Sequence, residues 1–233
     1  MAALTLVLLP GMDGSGELFA DFIAALGNEA TPLVMFYPAD QALGYEGLID
    51  LVRTRLPAGQ PFVLLGESFS GPVAIALAAS HPPGLAGLIL TTSFARNPVP
   101  LLAGLRRFLG AVPISASLSG LLSPFLQGVG ASSDKRRSLR HVLGLARPAV
   151  LRARMDAVLA ADFSDRMRNV TVPVLYLQAM QDRVVPAAAA THLLTLQPAM
   201  QVVAMRGPHL LLQAAPMQAA AAVRQFLTSL ALT

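Results

Sequence analysis

The stretch from Gly66 to Gly71, GESFSG, places a serine among small residues directly after a short apolar run. The run Phe62–Leu65 is typical of a strand, and Gly71–Ala79 is typical of a helix, so Ser68 lies at a tight strand-to-helix turn. Small neighbours are needed because such a turn brings backbones close together, and the serine is expected in a strained conformation. Its hydroxyl then projects above the sheet, where the helix N-terminus favours a developing negative charge. The pattern predicts a nucleophilic serine; a plain helix start or a phosphate-binding turn are the alternatives, and no second glycine-rich motif supports the latter.

Short apolar runs alternate with helical stretches along the chain. Runs without polar alternation are typical of strands buried on both faces of a parallel sheet. Their alternation with helices predicts an α/β fold with a doubly wound, mostly parallel sheet of about six strands. The predicted strands are Leu4–Leu9, Leu33–Tyr37, Phe62–Leu65, Leu88–Thr92, Val174–Leu177 and Val202–Met205. The predicted helices are Glu17–Leu26, Gly47–Arg55, Gly71–Ala79, Ala187–Leu196 and Leu210–Leu230.

One connection is far longer than a normal crossover. From about Ser93 to Thr171 no strand is recognisable, and apolar residues recur at helical spacing instead. We interpret residues 97–165 as a helical cap inserted into a core domain made of residues 1–96 and 166–233. Because the cap enters and leaves between the fourth and fifth strands, it should lie over the strand carboxyl ends, where open α/β sheets place their sites. The recurring apolar residues are Leu101, Leu102, Leu105, Phe108, Leu109, Leu118, Leu121, Leu122, Phe125, Val142, Leu145, Val150, Leu151 and Val158.

Composition excludes several classes of protein. Hydrophobic residues make up 54% of the chain and charged residues 13%, which excludes intrinsic disorder. The chain has no cysteine, which excludes a disulfide framework, a cysteine zinc site and a cysteine nucleophile. The net charge is +4, but the arginines are scattered, whereas nucleic-acid-binding proteins carry a dense basic stripe. We therefore expect no nucleic-acid partner.

The longest uncharged stretch, residues 108–133, raises the question of a membrane span. It is interrupted by two prolines and four glycines, so we expect neither a spanning helix nor stable membrane insertion. Met1–Leu9 is apolar but has no basic region before it and no cleavage site, so we interpret it as a first strand and expect a cytoplasmic protein. The oligomeric state is not predicted.

These features resemble the α/β-hydrolase superfamily, in particular its small bacterial-type serine carboxylesterases. The segment around Ser68 is similar to the nucleophile elbow G-x-S-x-G, with Ser70 in place of the second glycine. The order of residues is similar too, because Asp182 follows the fifth apolar run and His209 precedes a long helical stretch, as the acid and the histidine of the family do. The resemblance implies that Ser68 is the nucleophile, His209 its base and Asp182 the residue that orients the histidine.

The resemblance also implies an oxyanion hole. The loop after the first strand usually begins His-Gly in the family, and here Pro10 replaces the histidine. The implied donors are the backbone N–H groups of Met12 and Phe69, and backbone donors leave those two side chains free to vary. No cofactor is implied. No metal is expected either, since the four histidines are separated and form no HxxxH or HExxH motif.

The implied function is hydrolysis of carboxylic esters with a small or medium apolar acyl group, through an acyl-enzyme intermediate. Thioesterases, C–C bond hydrolases, lactonases, amidases and cofactor-free haloperoxidases use the same residues, and the fold does not decide between them. Dehalogenases and epoxide hydrolases are disfavoured because those relatives carry an aspartate at the elbow. A non-catalytic small-molecule receptor on the same fold is the alternative from another class.

The remaining polar residues have structural interpretations. His81 is expected near a helix C-terminus, His141 beside basic residues, and His192 on the outer face of a helix. Asp13 is interpreted as a turn residue. The basic cluster, which we define as Lys135, Arg136, Arg137 and Arg140, predicts a solvated helix face. The alternative for this cluster is attraction of an anionic substrate such as an acyl-thioester carrier.

Overall fold

Six parallel strands form one sheet in the structure, a computed structural model that describes residues 4–101, 104, 118–128 and 130–230. The strands are β1 Thr5–Leu9, β2 Thr31–Val34, β3 Phe62–Glu67, β4 Leu85–Thr91, β5 Val174–Ala179 and β6 Gln201–Met205. Their order is β2-β1-β3-β4-β5-β6, and each neighbouring pair is parallel. The predicted α/β class and parallel sheet are confirmed.

Helices cover both faces of the sheet. The helices of the described residues are α1 Ala20–Leu26, α2 Tyr45–Arg53, α3 Gly71–Ala79, α4 Leu118–Leu126, α5 Ser133–Leu145, α6 Pro148–Ala160, α7 Ser164–Arg168, α8 Ala187–Leu196, α9 Leu211–Ala214 and α10 Pro216–Leu230. One apolar cluster joins α2, α3, α7 and α8 to one face, and a second joins α1, α9 and α10 to the other. Alternate side chains of each strand enter the two clusters, because a strand directs successive side chains to opposite faces.

The predicted helix Leu210–Leu230 is divided in the structure. It forms α9 and α10 with a break at Ala215. Pro216 begins α10, and proline suits the first turn of a helix because it has no N–H to donate. The predictions for α3 and α8 are confirmed at both ends.

The second strand differs most from its prediction. It spans Thr31–Val34 and not Leu33–Tyr37. Thr31 donates to the carbonyl of Leu4 just before β1 and Met35 to that of Leu8 in β1, but the Tyr37 N–H donates to the Gly14 carbonyl at 2.9 Å. The chain thus leaves the ladder to contact the loop after β1. As an edge strand, β2 is also partly exposed, so burial on both faces holds best for the inner strands.

The segment between β4 and β5, residues 92–173, contains α4 to α7, and its described non-helical residues include an antiparallel bridge between Arg96 and Asp162. Val142 on α5 packs with Leu210, and Val150 on α6 packs near Met12, so both helices lie against loops at the carboxyl ends of the strands. The predicted periodic residues Leu102, Leu105, Phe108 and Leu109, and the side chains of Leu118 and Leu121, lie outside the described residues. The boundaries 97–165 stay a prediction. In the described part of the chain, no helix is long and apolar enough to cross a membrane.

Candidate active site

Ser68 lies at the tip of the turn between β3 and α3. Its φ of 50° falls in the left-handed region, which is unfavourable for residues other than glycine. A Cβ on Gly66 would lie 2.8 Å from the carbonyl oxygen of Ser70, and one on Gly71 would overlap the hydroxyl of Ser93. Strand, turn and the end of β4 can therefore pack this closely only with glycine at both positions. The second position that requires glycine is therefore residue 71, one residue beyond the second glycine of the family motif.

A chain of hydrogen bonds connects the three residues that the resemblance singles out. The Ser68 hydroxyl oxygen is 2.7 Å from Nε2 of His209, and Nδ1 of His209 is 2.8 Å from Oδ2 of Asp182. The other carboxylate oxygen of Asp182 accepts the N–H groups of Val184 and Val185 at 2.7 and 2.9 Å. The side chains of His209 and Asp182 are only 2% and 6% exposed, so these bonds are shielded from water and orient the imidazole ring. The structure brings together loops that follow β3, β5 and β6.

The loop after β4 contacts the backbone of Ser68 through a hydrogen bond. The Ser93 hydroxyl donates to the Ser68 carbonyl at 2.5 Å, and the Tyr176 hydroxyl donates to the Ser93 carbonyl at 3.0 Å. Thr92, between β4 and Ser93, has a φ of 46°, a second strained residue beside the turn. The Ser68 carbonyl thus accepts a hydrogen bond from the loop after β4, and Tyr176 on β5 holds that loop in turn.

Ser70 links the elbow to the loop after β1. It is fully buried, its hydroxyl donates to the Pro10 carbonyl, and the hydroxyl of Tyr37 lies 2.6 Å away. Burial raises the pKa of the Tyr37 phenol, which therefore stays protonated and donates to Ser70. A glycine at position 70 could form neither bond. The departure from the family motif thus coincides with an additional contact between two loops of the site.

The loop after β1 forms a tight turn, which we call the oxyanion turn, from Gly11 to Gly14. The N–H of Gly14 donates to the Gly11 carbonyl at 3.1 Å. Asp13 accepts the N–H and hydroxyl of Ser15 at 2.8 and 2.5 Å, so it is a turn residue as predicted. A trans peptide directs its C=O and N–H in opposite directions. Because the Gly11 carbonyl points into the turn, the N–H of Met12 points out of it.

Phe69 is more constrained than the sequence suggests. Its ring is 1% exposed, stacks on Tyr45 with a centroid distance of 4.9 Å and meets Tyr37 edge-on at 6.3 Å. Because its ring fills an aromatic cluster beneath the elbow, few side chains fit at position 69, and the expectation that this side chain can vary stays a prediction. The side chain of Met12 is only partly buried.

Glu67 is a buried carboxyl group that was not predicted as part of the site. It is 1% exposed and accepts a hydrogen bond from Nε2 of Gln213 at 3.2 Å, while Gln213 also donates to the Leu18 carbonyl at 2.9 Å. Burial raises the pKa of Glu67 to about 8; the charge of Asp13 adds to this rise and the Gln213 hydrogen bond opposes it. A charged residue at the end of an apolar strand was the sequence feature that could have indicated it.

Arg154 on α6 was also not predicted. It is 1% exposed and donates to backbone carbonyls of the oxyanion turn. Three and four residues separate it from Leu151 and Val150, which places an arginine on the apolar face of its helix. An arginine on the apolar face of a helix was the sequence feature that could have indicated it.

The other three histidines make contacts away from Ser68. The contacts are His81 Nδ1 with the Thr171 hydroxyl at 3.2 Å, His141 Nε2 with Glu17 at 3.4 Å, and His192 Nε2 with the Ser164 hydroxyl at 3.0 Å. His192 was expected on an outer face; it is half-buried against α7, and burial lowers its pKa. Among the described residues, no group of three or more histidine, aspartate or glutamate side chains could hold a metal ion.

The basic cluster lies on α5 and is only partly solvated. Lys135 donates to the Gln213 carbonyl at 2.7 Å, whereas Arg137 lies 3.2 Å from Asp134 and is largely exposed. A cleft of about 810 Å³ separates this helix from the loops of the site. Lys135, Asp182 and Arg183 are among its lining residues, and Ser68 is not.

The order of the sheet and the position of Ser68 after β3 define the class of protein, an α/β-hydrolase. Residues 44–210 match the model of the family described as serine aminopeptidase, S33. This match covers well over half of the chain, and the chain belongs to this family of α/β-hydrolases.

Relatives of known name include esterases. Over 206 residues the chain is 30% identical to the pimeloyl-[acyl-carrier protein] methyl ester esterase of Aeromonas hydrophila subsp. hydrophila, with 79% of each protein covered. A stretch of 108 residues is 37% identical to phytyl ester synthase 1, chloroplastic, of Arabidopsis thaliana; it covers 42% of this chain but spans only 15% of that longer relative. A thermophilic esterase from Thermogutta terrifontis superposes with a TM-score of 0.82 over 97% of this chain and 90% of that chain, and at 22% identity this shows the fold alone.

Proposed function

We propose that the protein is a serine hydrolase that cleaves carboxylic esters with a small or medium apolar acyl group. The observation that carries this proposal is the buried hydrogen-bond chain from the Ser68 hydroxyl through His209 to Asp182. Family membership supports hydrolysis, and the esterase relatives support an ester as the bond that is cleaved.

The proposed reaction has two halves. The Ser68 oxygen attacks the acyl carbon while Nε2 of His209 takes the hydroxyl proton. The C–O bond to the alcohol then breaks, and His209 returns that proton to the leaving alkoxide. Water attacks the acyl-enzyme, gives its proton to His209, and the acid leaves as Ser68 regains a proton. Asp182 keeps the proton of the neutral ring on Nδ1 and stabilises the imidazolium that forms twice per cycle.

The proposed oxyanion hole consists of the N–H groups of Met12 and Phe69. The geometry of the oxyanion turn supports Met12, because its N–H points out of the turn. Phe69 follows the nucleophile directly, and its buried ring fixes its backbone. Losing one such donor typically costs about 10²–10³ in rate.

A cap made of residues 97–165 would cover this site. Two of its helices, α5 and α6, pack beside Leu210 and Met12, which supports a position above the strand ends. On α4, Leu122 and Phe125 are 39% and 48% exposed. Exposed apolar side chains on a cap helix favour an apolar acyl group over a sugar or a phosphate.

A second, narrower candidate is an ester whose acyl group is carried by an acidic protein. Exposed Arg136, Arg137 and Arg140 on α5 favour it, and so does the name of the Aeromonas relative. Replacing the three arginines with glutamine should raise KM for a carrier-bound ester, most strongly at low salt, and leave KM for a free methyl ester unchanged. Equal KM values for wild type and variant with the carrier-bound ester would exclude this candidate.

The experiment that tests the main proposal is fluorophosphonate labelling at neutral pH, read by intact mass and peptide mapping. A single adduct on Ser68 is expected, and none in His209→Ala. Ser68→Ala should lower kcat on p-nitrophenyl esters by about 10⁵–10⁶. Ser164→Ala is the matched control, since its hydroxyl lies 3.0 Å from Nε2 of His192 in a half-buried pair away from Ser68.

The outcomes separate the alternatives. An adduct on another residue, or full turnover in Ser68→Ala, would contradict the proposed nucleophile. A folded wild type that binds acyl compounds without turnover would support the receptor interpretation. A panel of oxygen esters and thioesters of increasing acyl length then distinguishes esterase from thioesterase.

A further inference from the structure

The guanidinium of Arg154 is buried, and among the described residues its hydrogen bonds go to backbone carbonyls and not to a carboxylate. It donates to the carbonyls of Met12 at 2.7 Å, Asp13 at 2.9 Å and Pro38 at 3.1 Å. The carboxylate of Asp13 accepts hydrogen bonds from Ser15, so it acts on the guanidinium through its charge and not through a hydrogen bond. A buried charge is costly unless it is well compensated. Here three backbone carbonyls compensate the charge by accepting hydrogen bonds, and two of them belong to the oxyanion turn.

The turn is shaped to receive this side chain. A Cβ on Gly14 would lie 2.6 Å from Nη1 and 2.9 Å from Nη2 of Arg154, and the φ of Gly14 is 75°. Only glycine permits both the backbone conformation and the close approach of the guanidinium. The ring of Tyr37 lies beneath the guanidinium, with 5.6 Å from its centroid to Cζ. The fork of Arg154 therefore has a fixed position between the turn and Tyr37.

The direction of the Met12 N–H depends on the peptides that Arg154 holds. Within the oxyanion turn, the Gly11 carbonyl points inward to Gly14, while the next two carbonyls point to Arg154. Each peptide is planar, so fixing these three carbonyls fixes the rotation of the peptide that carries the Met12 N–H. A turn that rotated by a few tens of degrees would direct this N–H away from a developing oxyanion.

We propose that Arg154 is a positioning residue that holds the backbone of the oxyanion turn in its conformation. Through this residue, helix α6 of the segment between β4 and β5 completes a site that is otherwise built by the core. The proposal rests on the proposed function, since it assigns Met12 to the oxyanion hole. Arg154 touches no reacting atom; it acts through the backbone of Met12 and Asp13. Displacement of α6 from the core would then disorganise the oxyanion turn while the Ser68–His209–Asp182 chain stays intact.

The proposal predicts a particular kinetic signature. An oxyanion donor interacts most strongly with the transition state, so misplacing it lowers kcat and leaves ground-state binding unchanged. Arg154→Met should lower kcat on p-nitrophenyl butyrate by about 10²-fold, the loss expected for one misplaced donor, with KM within about threefold of wild type. The inhibition constant of a boronic acid that adds to Ser68 should rise in parallel with the fall in kcat/KM.

Two further variants make the test specific. Arg154→Lys keeps the charge but replaces a planar fork with a single ammonium that cannot reach three carbonyls, so a loss of about tenfold or more in kcat is expected. Arg152→Met removes a partly exposed arginine from the same helix and should leave kcat and KM near their wild-type values. Circular dichroism and thermal midpoints identify any variant that fails to fold.

The possible results distinguish failure of the proposed function from failure of the proposed role of Arg154. A wild type without a Ser68 adduct and without turnover would overturn the proposed function itself. An active wild type combined with a folded Arg154→Met that keeps kcat within threefold would overturn the role of Arg154 alone. A raised KM at unchanged kcat would overturn it as well. If Arg154→Met does not fold, Arg154→Lys decides, and wild-type kcat in that variant would refute the proposal.

Discussion

The elbow around Ser68 and the oxyanion turn from Gly11 to Gly14 lie side by side, but different forces hold them. The elbow is held mainly by close packing, since Gly66 and Gly71 leave no room for a side chain, with one hydrogen bond from Ser93 to the Ser68 carbonyl. The turn and the Pro10 carbonyl just before it are held by hydrogen bonds from residues far along the chain, namely Arg154 to the turn and Ser70 to Pro10, at separations of 60 residues and more. A turn packed around glycines is disrupted when a side chain adds volume. A turn held by hydrogen bonds is disrupted when a single donor is lost. The two halves of one site are therefore vulnerable to different substitutions.

Adding volume to the elbow should have the largest effect. Gly71→Ala places a Cβ onto the Ser93 hydroxyl, which must then move away from the Ser68 carbonyl. We expect a loss of about 3 kcal/mol in the free energy of unfolding, at the upper end of overpacking costs, and at least a tenfold fall in kcat. Urea unfolding and ester kinetics measure both.

Gly144 on α5 supplies the control for that substitution. A Cβ there would meet nothing within 4 Å, so Gly144→Ala should be neutral or stabilise the protein by up to about 1 kcal/mol. Equal stability of Gly71→Ala and Gly144→Ala would show that packing does not fix the elbow.

Removing the contact that joins the two regions should have an intermediate effect. Ser70→Ala leaves the Pro10 carbonyl and the Tyr37 hydroxyl without this partner in the protein interior, at a cost of about 2 kcal/mol in unfolding free energy. Because the turn loses one of its anchors, kcat should also fall, by roughly tenfold.

A double-mutant cycle of Ser70→Ala with Tyr37→Phe isolates this contact. We expect a coupling energy of about 1 kcal/mol between the two residues. Strict additivity of the two substitutions would mean that the hydroxyl groups act independently, and that Ser70 does not join the regions through Tyr37.

Glu67, which lies between the two regions, should have the smallest effect within any one pH unit. Its pKa is raised to about 8 in the folded protein from 4.5, so over this pH window the folded state holds a proton that the unfolded chain lacks. The free energy of unfolding should therefore fall with rising pH, by about 1 kcal/mol per unit between pH ~5 and pH ~8, and level off above. Glu67→Gln should remove this slope in urea unfolding at several pH values. The exposed Glu46→Gln should keep it, and a wild type without the slope would show that Glu67 is charged when folded.

The sheet was predictable because it rests on local patterns, and the meeting of Ser68, Asp182 and His209 was implied by the resemblance to the α/β-hydrolase superfamily. Apolar runs define strands, and the strand ends of a parallel sheet share one edge, so residues that follow strands come together. The catalytic roles of the three residues stay predictions that labelling will test. The contacts of Arg154 and Ser70 were not predictable, since no local periodicity encodes a hydrogen bond between residues 60 or 142 apart. The end of β2 was not predictable for the same reason, because it depends on the contact of Tyr37 with Gly14.

Pro32 occupies the middle of the edge strand β2, opposite Leu6. Successive residues of a strand direct their N–H groups to opposite sides, and Thr31 and Met35 donate toward β1. The nitrogen of Pro32 thus faces the free side, where a missing donor costs the sheet's own ladder nothing. An extended segment of another molecule would meet a gap in its hydrogen bonds there, so this edge resists templated strand addition and aggregation in a chain that is 54% hydrophobic.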